Sequence, residues 1–167
     1  MMNPFLIWLE STAFSTWMRE STSVFAFPVI LAFHTIGMGV VAGINAALAL
    51  RILGAGAGIP LQEMRRFFPV MWAGFWLNAL SGVALLVGYP TKALTNPMFY
   101  LKLTLVGLGL GLVKAISDRV FGVPMPLDAA TSRKVRNLAV ASLACWSGVI
   151  ISGRLLAYTY SRLMAIS

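Results

Sequence analysis

Apolar positions fall into four long blocks separated by short stretches rich in Gly, Pro and basic residues. From Ser23 to Ala49 the chain carries no charged residue, His34 being its only titratable group. At 1.5 Å per residue that run makes a helix about 40 Å long. This exceeds a ~30 Å hydrocarbon core, so the pattern predicts a first membrane span, 23–49, that tilts or begins among the headgroups. Three further blocks predict spans over 67–87, 99–116 and 138–158. The third is bounded by Lys102 and Lys114, whose long stems reach toward the headgroups. Between the first two spans, Gly54, Gly56, Gly58 and Pro60 read as a flexible linker. They do not form a phosphate loop, because no Lys-Ser/Thr follows and no strand precedes them.

Ahead of these blocks, residues 4–20 show helical periodicity with two faces. Leu6, Leu9, Ala13, Phe14 and Trp17 are apolar; Thr12, Ser15, Thr16 and Arg19 are polar. Such a segment lies in the membrane interface or contacts a partner. It has no basic residue before its apolar stretch, Glu10 interrupts it, and no small-x-small cleavage pattern follows, so it reads as mature chain and not as a cleaved signal. The expected fold is therefore an all-α membrane protein. A single domain of four transmembrane helices forms a bundle, preceded by an amphipathic interfacial helix.

Composition agrees: 59% of the 167 residues are apolar and 11% are charged, against about a quarter charged in soluble domains. Mean hydropathy is +0.83. The net charge of +8 does not point to nucleic acid, since the basic residues sit at the ends of apolar blocks, where anionic lipid headgroups are the natural partner. Eight Lys and Arg lie in the first and third connections and five on the other side. The positive-inside bias then puts both termini on the periplasmic side of a bacterial inner membrane. Cys145 is the only cysteine, which excludes an intrachain disulfide and a cysteine metal cluster.

Candidate chemistry centres on His34, about 17 Å into the first span. An intramembrane ionisable group marks a functional site by default. The same face carries Met38, Val41 and Asn45. Three roles are open to His34: a haem b or copper ligand, a neutral imidazole hydrogen-bonded to a neighbouring helix, or a step on a proton or substrate path. A bis-histidine haem is excluded by the lack of a second histidine. The remaining haem arrangements are five-coordinate iron, a His/Met pair with Met71 or Met98, or a haem shared with another subunit. Arg154, about 6 Å below the end of the last span at Tyr158, either snorkels or binds an anionic group such as a haem propionate, a quinone oxygen or a lipid phosphate. Ser147 lies at the depth of His34, so His34, Arg154 and Ser147 bracket one expected outward-facing pocket. Asn78, Ser81 and Ser152 read as interhelical hydrogen-bonding groups. The pairs Gly39/Gly43 and Gly107/Gly111 serve close packing inside the bundle or a homodimer.

No predicted span holds Asp or Glu, which disfavours a proton-coupled carrier, and no hydrolase or kinase motif is present. The segment from Phe27-Pro28 to Leu53-Gly54, with FHTIGMG and ALRILG, together with NPMFYLKL at Asn96 to Leu103, resembles a family of small bacterial four-helix inner-membrane proteins built on a domain of unknown function. More distantly, a histidine on the first of a few helices is similar to CopD-like and cytochrome b-type membrane subunits. That resemblance implies copper handling or haem-linked electron transfer, with His34 the one position matching a ligand. The expected function is a redox-associated membrane protein binding haem, or copper or quinone, near His34. The alternatives are an accessory or assembly subunit of a larger membrane complex and a dimeric small-molecule transporter.

Overall fold

A computed structural model describes residues 4–56, 58–122 and 129–164. The described chain is helical throughout its ordered elements: α1 (Pro4–Glu10), α2 (Ala13–Glu20), α3 (Phe27–Leu53), a 3-10 helix (Leu61–Phe67), α4 (Phe68–Gly88), α5 (Pro90–Leu94), α6 (Pro97–Phe121) and α7 (Ala129–Met164). Four stretches are long and apolar enough to cross a membrane: Phe27–Leu53, Leu61–Gly88, Pro97–Phe121 and Ser132–Leu156. The protein is thus an all-α, multi-pass membrane protein.

Local chemistry sets the helix ends. Pro28, Pro69 and Pro97 sit in the first turns of α3, α4 and α6, where a missing N–H costs nothing. Asn96 caps α6 by accepting from the Met98 N–H at 2.9 Å. Gly54 closes α3 with φ of 112°, a left-handed turn that lets the Ala55 N–H reach the Leu50 carbonyl at 2.9 Å. Past it, the glycine-rich segment does not stay a plain linker. The Arg51 Nε donates to the Ile59 carbonyl at 2.5 Å, and the 3-10 helix buries Met64 in a lower core with Leu48, Ile116, Val120 and Val135. The basic run Arg133, Lys134 and Arg136, expected ahead of the last span, is already inside α7.

The broad seams are α3–α4, α6–α7 and α3–α7, so each helix runs antiparallel to its neighbours. The upper core joins all four: Val41 and Ala42, Met71, Val113, and Trp146 and Val149. Close approach comes from Gly37 on Gly74 and Asn78, Gly109 on Trp146, and Gly148 on Leu105. Gly39, Gly43, Gly107 and Gly111 face open space. These pairs therefore do not serve packing within the bundle, because the buried face of each helix runs through other positions.

The amphipathic segment 4–20 is two helices, not one. The Ser11 Oγ donates to the Trp8 carbonyl at 2.7 Å and the Thr12 Oγ1 to the Leu9 carbonyl at 2.8 Å, hydroxyls competing for the backbone and ending α1. Thr12 then caps α2. Arg19 folds α2 back, its guanidinium donating to the Glu10 carbonyl at 2.6 Å. The buried face of α2 holds Ser15 and Met18, while Trp8, Phe14 and Trp17 are exposed. Ser15 Oγ donates to the Gly88 carbonyl at 3.1 Å, which docks α2 on the end of α4. Ser15→Ala is expected to weaken this docking by about 1 kcal/mol, read as faster amide hydrogen exchange in α2. Unchanged exchange would show that Met18 and the contacts of α1 and α2 with α4 and α5 hold the segment without this bond.

Candidate functional site

Seven residues into α3, about 10 Å from its start, His34 lies half-buried among α3, α4 and α6. Its Nδ1 is 2.9 Å from the Asn78 main-chain oxygen and 3.3 Å from the Ser81 Oγ. A carbonyl only accepts, so Nδ1 carries the hydrogen. The Asn78 Nδ2, 3.3 Å from the same nitrogen, faces a donor there and instead donates to the His34 main-chain oxygen at 2.7 Å. Nε2 is then the acceptor, and the Lys102 Nζ donates to it at 3.0 Å. The ring is held on a third side by Gly82, where an added Cβ would meet Cε1 at 3.1 Å.

Lys102 reaches this point from the second turn of α6. Gly153 of α7 lies alongside it: a Cβ there would make ordinary contact, 3.7 Å from both the Lys102 Cε and Nζ. Among the described residues, α3, α4, α6 and α7 carry no acid in this half; Glu10 and Glu20 lie on the docked α1 and α2 at the same end, Glu10 against Arg19 at 3.8 Å. Asp118, the one acid of α6, stands sixteen residues from Lys102 and pairs with Lys114 at 3.1 Å. Among the described residues, Lys102 makes one hydrogen bond and no ion pair. An ammonium group has three N–H donors, so its capacity is only partly used.

The expected pocket is drawn differently in the structure. Arg154 and Ser147 are exposed on the outer surface of α7 and share no bond with His34. Asn45 is buried but about 16 Å further along α3, where its Nδ2 donates to the Val41 carbonyl at 2.8 Å and to the Met71 Sδ at 3.4 Å. Met38 packs against the upper core. Met71, a potential axial ligand, is already the acceptor of Asn45. Ser152 bonds within its own helix to the Val149 carbonyl at 3.0 Å. Asn78 and Ser81 do make the interhelical contacts their position suggests. His34 thus has the geometry of the hydrogen-bonded imidazole.

A haem iron would need a free ring nitrogen on His34, and both are engaged. For copper, no group of three or more His, Cys, Asp or Glu side chains comes together among the described residues. The residue that sequence reasoning missed is Lys102, taken for a snorkelling flank. The signal was present: Lys102, Leu105, Gly109, Val113, Ile116 and Val120 recur at three- and four-residue steps, and Gly109, Val113, Ile116 and Val120 form the buried face of α6. Comparison with known proteins finds no matching family model, no similar curated protein and no similar solved structure.

Proposed function

We propose that this is a redox-associated inner-membrane protein whose Lys102–His34 pair receives a ring oxygen of a membrane quinone. The observation that carries this reading is the Lys102 Nζ at 3.0 Å from the His34 Nε2, where the spanning helices described carry no acid to pair with it. A cationic donor taken out of water needs acceptors, and His34 supplies one. A quinone supplies another from within the lipid: a carbonyl oxygen on an apolar ring that enters sideways from the bilayer. Haem b or copper at the same place would first require Lys102 to leave Nε2. The distribution of basic residues supports a periplasm-facing position for the pair. In the bilayer, the exposed Phe5, Trp8, Phe14 and Trp17 of α1 and α2 suit the adjacent headgroup layer.

A second reading has its own observation. Both imidazole nitrogens are engaged and Gly82 closes on the ring, as in a polar strut of an accessory subunit without a cofactor. The test is solvent extraction of protein purified in mild detergent from quinone-containing membranes, with an absorption spectrum of the same sample. About one quinone per chain is expected, falling at least tenfold in Lys102→Met, with no Soret band. A quinone-free wild type overturns the proposal in favour of the strut. A Soret band lost in His34→Ala would return the site to haem.

A further inference from the structure

At the opposite end of the bundle, the last turn of α3, the start of the 3-10 helix and the first turns of α7 border a half-open cavity of about 130 Å³. Its walls are Arg51, Ile52, Leu61, Ser132, Val135 and Arg136. Two guanidinium-bearing side chains and a hydroxyl share the opening with an apolar floor. Val135 is a buried member of the lower core, and Ile52 and Leu61 pack against it. Such a combination suits a ligand with an anionic head and an apolar continuation.

The surroundings favour the same chemistry. This end carries eight basic residues, Arg51, Arg65, Arg66, Lys114, Arg119, Arg133, Lys134 and Arg136, and three acids. Of the acids, Glu63 already pairs with Arg66 at 3.2 Å and Asp118 with Lys114 at 3.1 Å; Asp128 lies outside the described residues. Arg51 is held at the rim by its bond to the Ile59 carbonyl. Arg136 forms no ion pair among the described residues. The 27 residues of α3 span about 40 Å, so a helix that crosses the hydrocarbon core brings Arg51 to headgroup level at this end.

We propose that this cavity binds the phosphodiester of an anionic phospholipid, with Arg51 and Arg136 on the phosphate, Ser132 donating a further hydrogen bond and the Ile52–Leu61–Val135 floor seating the start of an acyl chain. Arginine matches phosphate oxygens with a planar pair of donors, and basic pockets between spanning helices are established headgroup sites. The site is independent of the quinone reading, at the other end of the bundle. Free phosphate shares the headgroup chemistry but gains nothing from the floor.

Native mass spectrometry of the full chain in a neutral detergent, titrated with phosphatidylglycerol, phosphatidylcholine or inorganic phosphate, tests it. One phosphatidylglycerol is expected to be retained at least tenfold better than phosphatidylcholine. Arg136→Gln is expected to lose about tenfold in retention, and Arg133→Gln, which does not line the cavity, is expected to lose none. Arg136→Lys, which keeps the charge and removes the fork, is expected to lose about threefold and serves if the glutamine variant does not fold. Equal retention of the two lipids, or equal loss in Arg133→Gln, overturns the site as diffuse surface charge. Displacement of the lipid by an equal concentration of inorganic phosphate overturns the lipid assignment.

Discussion

Gly37→Ala is expected to destabilise the bundle by about 2 to 3 kcal/mol, the upper part of the range for overpacking a closed interior. A Cβ at this position would stand 2.7 Å from the Asn78 nitrogen and 2.7 Å from the Gly74 oxygen. Both are backbone atoms of α4 and cannot rotate aside, so α3 and α4 must separate. The opposing side of the seam is equally closed, with a Cβ at Gly74 falling 2.7 Å from the Val40 Cγ1. Separation also stretches the Asn78 Nδ2 bond to the His34 carbonyl, less than one turn away. Gly39→Ala is the control. Two residues further on, a Cβ meets nothing within 4 Å, and stability is expected to stay within about 0.5 kcal/mol. Cys145 supplies the readout: it is the sole thiol, buried, with its Sγ donating to the Leu105 carbonyl at 3.1 Å. A thiol-reactive dye therefore reports thermal unfolding. Equal melting of the Gly37 and Gly39 variants would mean that α3 and α4 do not meet along this seam.

Those two glycines also show what a sequence can and cannot reveal in a membrane bundle. The spans were legible because hydrocarbon thickness imposes a length and a charge-free run that few other structures share. Which face turns inward was not, because Leu, Val and Ile suit lipid and core alike. In α3 the outward Gly39/Gly43 pair and the inward Gly37 cannot be separated by hydropathy. The same ambiguity decided the site. His34 stood out as the one titratable group in its run, and Asn78 and Ser81 as interhelical hydrogen-bonding groups, whereas the group read at its depth was Ser147, which faces outward. Arg154 and Gly153 are adjacent on α7, yet it is the glycine that faces the cluster, lying beside a lysine from another helix. Lys102 was hidden because a lysine near a helix start ordinarily reaches for the interface. Only the inward stripe that it heads on α6 distinguishes it.

The second large effect is expected from His34→Leu, which should cost about 2 kcal/mol, since two intramembrane hydrogen bonds averaging about 0.6 kcal/mol are lost, the Nδ1–H being shared by two acceptors, and the Lys102 ammonium is left without an acceptor. The Asn78 carbonyl, the Ser81 hydroxyl and the Lys102 ammonium each lose the imidazole as a partner. Lys102→Leu removes a single bond and should cost about 0.6 kcal/mol. If the two side chains form one unit, the double variant His34→Leu/Lys102→Leu should be no less stable than His34→Leu alone, because an apolar pair no longer leaves an ammonium without an acceptor in the bundle. Simple additivity in the thiol-dye assay would show that Lys102 turns out to the interface in the membrane and does not lean on His34. Function then separates stability from binding. Under the quinone reading all three variants lose the ligand, the double variant included, although it is well folded. Under the strut reading the well-folded double variant behaves as wild type in every assay except melting. The same pair of leucines therefore tells whether the bundle keeps a lysine and a histidine in lipid to fix its helices or to hold a ligand.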